Sequence, residues 1–269
     1  MEWKVHKDGK QSYYNAKVFY KFYGELGLMN DLSTDIVRRF KSHMRLELKY
    51  ARGTINRKLA SISKLVTYCR GLRGFKFVWG TPLVEYEKEN NQRKYVFTEE
   101  ILEKLYSTSS LCGYHHIVDL WKVLVINGCR LSEMLNLEWA DIEDQFMVVR
   151  DTKNGEDRVI PIFENTQSIF SKLRSQNLAR PFPYKLDQVE YMWRRIRKTM
   201  GMDKEKDFVI HALRHTCITT LLRQKVGIEI VQRIVGHRDI RMTQRYNHPT
   251  KFDIRDALVG INKEKQVVN

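Results

Sequence analysis

Cysteine is scarce in this chain. Four residues, Cys69, Cys112, Cys129 and Cys217, are spread over 269 positions. They form no C-x-x-C pair and none sits beside histidine at zinc-ligand spacing, which argues against a disulfide framework, a redox motif or a zinc site. An apolar run of membrane-spanning length is missing too. The longest stretch, residues 117–126, is interrupted by Asp119 and Lys122 and reads as a buried helix. Residues 1–10 are polar and charged, without the apolar centre of an export signal. A reducing cytoplasm and no membrane partner are therefore expected. Repeats and low-complexity tracts are absent. So are a Walker loop and paired carboxylates at metal-binding spacing, so no cofactor is expected.

Positive charge is plentiful. Lys and Arg number 47 against 32 Asp and Glu, a formal net charge of +15. The excess is present in both parts of the chain. Residues 1–90 hold 18 basic and 9 acidic residues, and residues 91–269 hold 29 and 23. Such a balance suits a polyanion gripped from two sides, as nucleic acid would be. Hydrophobic residues make up 42%, enough for a core.

The length fits two domains. Residues 11–29 carry aromatics at helical spacing, ended by Gly24 and Gly27. A second helix is expected from Ser33 or Thr34, with Ile36, Val37, Phe40 and Met44 as its apolar stripe. A third is expected over 54–70, with Ile55, Leu59, Ile62, Leu65, Val66 and Tyr68 apolar. Residues 71–96 lose this periodicity and gain Gly71, Gly74, Gly80, Pro82 and a charged run, the signature of a linker. A helical first domain over 1–88, a linker over 89–96 and a second domain over 97–269 follow. Thr98 before two glutamates can cap the first helix of the second domain. Further helices are expected at 98–108, 115–127, 131–137, 164–176, 187–200, 211–225, 229–235, 240–247 and 252–260. Between them FMVVR at 146–150, the turn KNG at 153–155 and RVIPI at 158–162 predict a hairpin. The fold class is mainly α with a small antiparallel β-sheet.

Four constellations could carry chemistry. In HALRHT, His211 and Arg214 are three apart and share a helix face. In VGHRDIRMTQRYNH, His237 and Tyr246 are nine apart, so one unbroken helix would put them on opposite faces. They converge only if the backbone breaks, and Gly236 and Asp239 offer a break and a new cap. In NGCRLSEML, Arg130 opens a helix and Glu133 is within reach of its guanidinium. Lys153 sits at the hairpin tip. Taken singly, each also reads as something ordinary: a solvated helix face, a core tyrosine beside a turn, a surface ion pair, a turn lysine.

Together, Arg130 in G-x-R-x-x-E, Lys153 in TK-x-G, H-x-L-R-H at 211–215, G-H at 236–237 and Tyr246 resemble the tyrosine recombinase (phage integrase) family over residues 95–255. More loosely, residues 54–62 resemble the long helix of the family's core-binding domain. The loop at 223–229 is slightly longer than the family's, and Ile234-Val235 replaces its commoner apolar pair. Few residues precede position 10, so the arm-binding domain of many phage integrases is not expected.

The resemblance implies that Arg130, Lys153, His211, Arg214 and His237 surround a scissile phosphate and that Tyr246 is the nucleophile, leaving a 3′-phosphotyrosine. His211 would accept the phenol proton, Lys153 would protonate the leaving 5′ oxygen, and the cationic surroundings would ease ionisation of Tyr246. Glu133 would orient Arg130. Double-stranded DNA is the implied partner, held in a C-shaped clamp. A monomer or dimer in solution would become a homotetramer on paired sites, with the helix at 252–260 docking on a neighbour or on its own domain. Thr54, Arg57 and Lys58, and the cluster of Arg194, Arg195, Arg197 and Lys198, are candidates for DNA contact or simply solvated faces. Integration and excision are the expected roles. Resolution of chromosome or plasmid dimers in the manner of Xer proteins, and relaxation of DNA by a type IB topoisomerase-like enzyme, are the alternatives.

Overall fold

The computed structural model describes residues 9–24, 27–89, 95–150, 157–247 and 255. It divides into two compact units, Met1–Asn91 and Gln92–Asn269. Its helices and one small antiparallel sheet match the expected class.

The first unit is built on α1 (Gly9–Tyr23), α2 (Thr34–Leu46) and α3 (Arg52–Gly71), each packed against the other two. Helix α2 begins where Ser33 caps it, its side chain accepting from the Ile36 amide at 3.3 Å. Val37, Phe40 and Met44 are its buried face. On α3 the buried face is Ile55, Leu59, Ile62, Val66 and Cys69, alternating steps of four and three. Tyr68, expected on this stripe, is half exposed at 50%: two residues beyond Val66 it points off the face, and Cys69 takes its place. Phe19 of α1 meets Phe40 edge to face, with ring centroids 5.0 Å apart.

After α3 the chain is irregular, as its composition foretold, yet it is fastened to its own unit. The Asn56 side chain accepts from the Glu87 amide (2.7 Å), donates to the Glu87 carbonyl (2.9 Å) and also donates to the Glu89 carboxylate. Arg38 pairs with Glu85 at 2.7 Å, and the Leu83 amide donates to Thr34 Oγ1. Polar residues that suggest a free linker here act as clasps.

The second unit holds α4 (Glu99–Leu111), α5 (Val118–Asn127), α6 (Leu131–Leu135), β1 (Phe146–Val149), β2 (Arg158–Pro161), α7 (Glu164–Ser175), α8 (Leu186–Thr199), α9 (His211–Arg223), α10 (Ile228–Val235) and α11 (Ile240–Gln244). The strands pair antiparallel, Phe146 opposite Pro161 and Val149 opposite Arg158. Helix α5 is the axis of the core and packs on α4, α7 and α9. It is apolar almost all round, and its two charges are each partnered. Asp119 pairs with Lys172 of α7 at 2.8 Å, and the Lys122 ammonium lies 5.3 Å over the Tyr106 ring. Trp121 of α5 meets Trp193 of α8, which stacks on Phe208, both at 5.2 Å. Gly128 ends α5 in the left-handed region, at φ 62°. A Cβ there would lie 2.9 Å from Cys217 Sγ on α9, so the glycine also sets how closely α5 and α9 pack. No helix among the described residues is long and apolar enough to cross a membrane.

The clasp is testable. Asn56→Ala leaves the partly buried backbone groups of residue 87 without their partner and should lower the stability of the first unit by about 1 kcal/mol. An unchanged urea midpoint would show that the segment is not held this way.

Candidate active site

The second unit gathers the candidate residues where α5 ends, α6 and α9 begin, and α10 turns into α11. Gly128 turns the chain so that Arg130 stands at the N-terminus of α6, and Glu133 lies one turn later. The Glu133 carboxylate is 8% exposed and is surrounded by donors. The Arg130 amide donates to it at 2.7 Å and Arg130 Nη1 at 2.6 Å. Arg158, at the start of β2, grips it with two more bonds, Nη1 at 3.0 Å and Nη2 at 2.7 Å. Burial works to raise the Glu133 pKa, but the hydrogen bonds and charge of Arg158, then the bonds from Arg130, hold it below the usual carboxylate range. Arg130 Nη2 goes on to donate to the Gly236 carbonyl at 3.0 Å.

Arg214, one turn into α9, is 2% exposed. Its Nη1 donates to the Gly128 carbonyl at 2.8 Å, while Nε is buried with no hydrogen-bond partner. Burial and the neighbouring Arg130 push its pKa down to about 10, so the guanidinium remains charged at neutral pH. A cation this deeply buried and incompletely satisfied is suited to an anion that arrives from outside.

Gly236 closes α10 at φ 69°, and Asp239 caps α11 by accepting from the Arg241 amide at 2.9 Å. The break between the two helices brings His237 and Tyr246 together, their rings parallel with centroids 6.5 Å apart. The helix carrying the tyrosine is shorter than its sequence suggests. It ends at Gln244, and Tyr246 lies on the following turn, its amide donating to the Thr243 carbonyl. His237 Nδ1 is 2.9 Å from Thr243 Oγ1. Burial, then the charges of Arg214 and Arg130, push its pKa down to about 3, so the imidazole is neutral.

His211 and His215 project from the first turns of α9. Their rings meet edge to face at 4.8 Å, and His215 meets Tyr246 edge to face at 5.2 Å. For Tyr246 the expected easing of ionisation is reversed. Burial raises its pKa, and Arg214 and Arg245 oppose the rise without cancelling it.

Lys153 lies outside the described residues, as does the expected helix at 252–260 apart from the exposed Arg255. Thr54, Arg57 and Lys58 are on α3 of the first unit. Thr54 is half-buried, and exposed Arg57 donates to the Gly53 carbonyl. Lys58 lies 5.2 Å over the Tyr50 ring, its pKa lowered by burial and by Arg57. In the second unit, a cleft of about 400 Å³ is lined by Arg194 and Arg197 of α8 together with His211, Arg214 and Cys129. Arg195 is exposed. Arg197 is occupied with the loop after α8, donating to the Met202, Asp203 and Glu205 carbonyls. Among the described residues no group of three or more His, Cys, Asp or Glu is placed to hold a metal ion.

Sequence reasoning missed Arg158, His215 and Thr243. His215 was visible inside the H-x-L-R-H motif. Arg158 looked like any polar residue of an edge strand.

The sequence profile of the Phage integrase family matches residues 95–252, more than half of the chain. The chain belongs to this family. A segment of 139 residues is 31% identical to tyrosine recombinase XerA of Saccharolobus solfataricus. It covers 50% of this chain and 46% of the XerA protein, so the chain spans about half the length of the archaeal relatives it matches. Tyrosine recombinase XerD of Listeria monocytogenes is 26% identical over 250 residues, 85% of this chain and 82% of XerD. Among solved structures, the Tn1549 transposon integrase in complex with transposon right end DNA superposes with a TM-score of 0.73 at 20% identity, over 96% of this chain and 94% of that one. The XerH site-specific recombinase bound to difH does so with 0.73 at 16%, over 93% and 78%. At these identities the family likeness is one of fold.

The neutral state of His237 carries a pH signature. Its folded pKa of about 3 lies below the ordinary 6.5, so between these values the unfolded chain binds a proton that the folded chain does not. This contribution to stability is complete above about pH 6.5 and is lost as pH falls towards 3. His237→Gln should therefore lose less stability than the parent between pH 7 and pH 5 in urea unfolding. An equal loss in both proteins would mean the imidazole is not held neutral.

Proposed function

We propose that this protein is a site-specific DNA recombinase that integrates and excises DNA through a 3′-phosphotyrosyl intermediate. The observation that carries this reading is the convergence of two guanidiniums, Arg130 and the buried Arg214, with neutral His237 and the Tyr246 phenol, close enough that the two cations act on His237 and Arg214 acts on Tyr246. A phosphodiester already bears negative charge, and its transition state gathers more on the non-bridging oxygens. Arg130 and Arg214 offer paired donors whose charge persists at any working pH. Such preorganised donors are worth roughly 10²–10³ in rate each. His237, with Nδ1 engaged by Thr243, has its other nitrogen for the same phosphate.

In the first step Tyr246 Oη bonds to phosphorus as the bond to the 5′ oxygen breaks. The phenol proton leaves through the α9 histidines: His211 is the acceptor, and His215, in ring contact with both His211 and Tyr246, joins them. Because burial keeps the phenol protonated at rest, a base is needed. Lys153 protonates the departing 5′ oxygen. Phosphotyrosine retains the bond energy, so a 5′ hydroxyl from a second strand reseals the backbone. The arginines supply the positive charge that such a step demands, and the scheme calls for neither metal nor nucleotide.

The partner is double-stranded DNA, bound by both basic units. Residues 1–88 act as the core-binding domain, with Thr54, Arg57 and Lys58 towards DNA, and residues 97–269 as the catalytic domain, with Arg194 and Arg195 towards DNA. A homotetramer assembles on paired sites in the cytoplasm. Relatives named XerA, XerC and XerD also favour a second reading, resolution of chromosome or plasmid dimers. Strand exchange between two labelled sites separates both from a topoisomerase-like enzyme, which relaxes DNA without exchanging partners.

A nicked suicide substrate tests the chemistry. The parent protein should form a covalent adduct in EDTA, visible on a denaturing gel, and Tyr246→Phe should form none. An adduct with the phenylalanine variant would refute the nucleophile. Lys153→Ala should be slow on ordinary DNA and restored by a 5′-bridging phosphorothiolate, whose sulfur leaves without a proton. Absence of rescue would remove Lys153 from that role.

A further inference from the structure

We propose that Arg158 is a positioning residue for phosphate cleavage: it acts through Glu133 to keep the Arg130 guanidinium aimed and tied to the Gly236–His237 corner. The inference rests on the recombinase reading above.

Three observations carry it. The first is geometric. One guanidinium reaches two separate parts of the site, with both terminal nitrogens on Glu133 and Nε donating to the Ile234 carbonyl at 3.1 Å. Arg130 makes the complementary connection, from the same carboxylate to the Gly236 carbonyl. The two arginines thus hold the end of α10 to the start of α6 at carbonyls two residues apart, those of Ile234 and Gly236. His237 is the next residue along.

The second is steric. A Cβ on Gly236 would lie 2.9 Å from Arg158 Nη1 and 3.0 Å from Cζ and Nε. The guanidinium therefore fills the space a side chain at 236 would need, and only glycine lets the corner approach it this closely.

The third is a matter of charge. A single Arg130–Glu133 pair would be neutral as a whole, and its arginine would do little for the extra charge that develops on a phosphate in the transition state. With Arg158 sharing the carboxylate, two positive charges face one negative charge among the described residues, beside Arg214. Arg158 leads the interactions that hold Glu133 ionised, ahead of those from Arg130. A lysine here could supply the charge but not the planar fork or the third bond.

The test uses the full chain and single-turnover cleavage of the nicked suicide substrate at saturating DNA, with DNA affinity from fluorescence anisotropy and folding from thermal melting. Arg158→Ala should cleave about 100-fold more slowly, the penalty typical of a reacting group displaced by about an ångström. Its DNA affinity should stay within about threefold of the parent, as expected when binding in the ground state is spared. Arg158→Lys should fall between the two. The deciding arm is a double-mutant cycle: on an Arg130→Ala background, Arg158→Ala should cost less than about threefold more, because the group it positions is already gone. Full multiplication of the two losses would make Arg158 an independent structural residue and overturn the proposal. Parent-like cleavage by both Arg158 variants would overturn it too, as would loss of the melting transition in both. If the parent itself forms no adduct, it is the recombinase reading that fails.

Discussion

A single buried carboxylate organises this site. Glu133 accepts from the Arg130 amide, from the Arg130 guanidinium and from both arms of Arg158. Removing one partner from a buried ion pair typically costs about 3–5 kcal/mol, because the remaining charge is left unsolvated. Ion clusters of this kind often add little net stability. What this one adds is direction: it gathers α6, β2 and the end of α10 around one point and leaves an arginine at the surface.

Arg214 represents the opposite solution. It is buried on α9, bonded to the Gly128 carbonyl, and pairs with no carboxylate among the described residues. Its lowered pKa records the strain of that burial and of Arg130 nearby. Burial, and after it the same cations, empties His237 of its proton, whereas at Tyr246 burial makes the phenol harder to ionise and the cations oppose that rise. An incoming phosphate reverses part of this balance. On the proposed function the cations gain a counter-ion from that phosphate, and the groups around them titrate differently in its presence.

Much of this was legible in the sequence because it is local. Steps of three and four along 36–44 and 55–66 located α2 and α3, the KNG turn located the strand pair, and Ser33, Thr98 and Asp239 marked helix starts. The nine-residue step from His237 to Tyr246 forced a backbone break that Gly236 supplies. What escaped is non-local or sterically fine. Arg158 meets Glu133 across 25 positions, and nothing in RVIP announces that contact. Tyr68 is apolar enough for the stripe but lies at the wrong angle. The electrostatic sign at Tyr246 depends on burial, which counting nearby cations does not reveal. The charged run after residue 84 looked unattached because its partners, Arg38 and Asn56, are on other elements.

Gly236 illustrates how tightly these demands interlock. It ends α10 in a left-handed turn, lends its carbonyl to Arg130 and leaves no room for a Cβ beside the Arg158 guanidinium. Shrinking Arg158 would make room for a methyl group at 236 but would leave the left-handed backbone, which costs an ordinary residue roughly 1–2 kcal/mol. Relaxing the turn instead would swing the carbonyl away from Arg130. No single compensating substitution meets both conditions. A substitution at this corner therefore disturbs the turn, the strand arginine and the helix glutamate at once, so the three respond as one mechanical part.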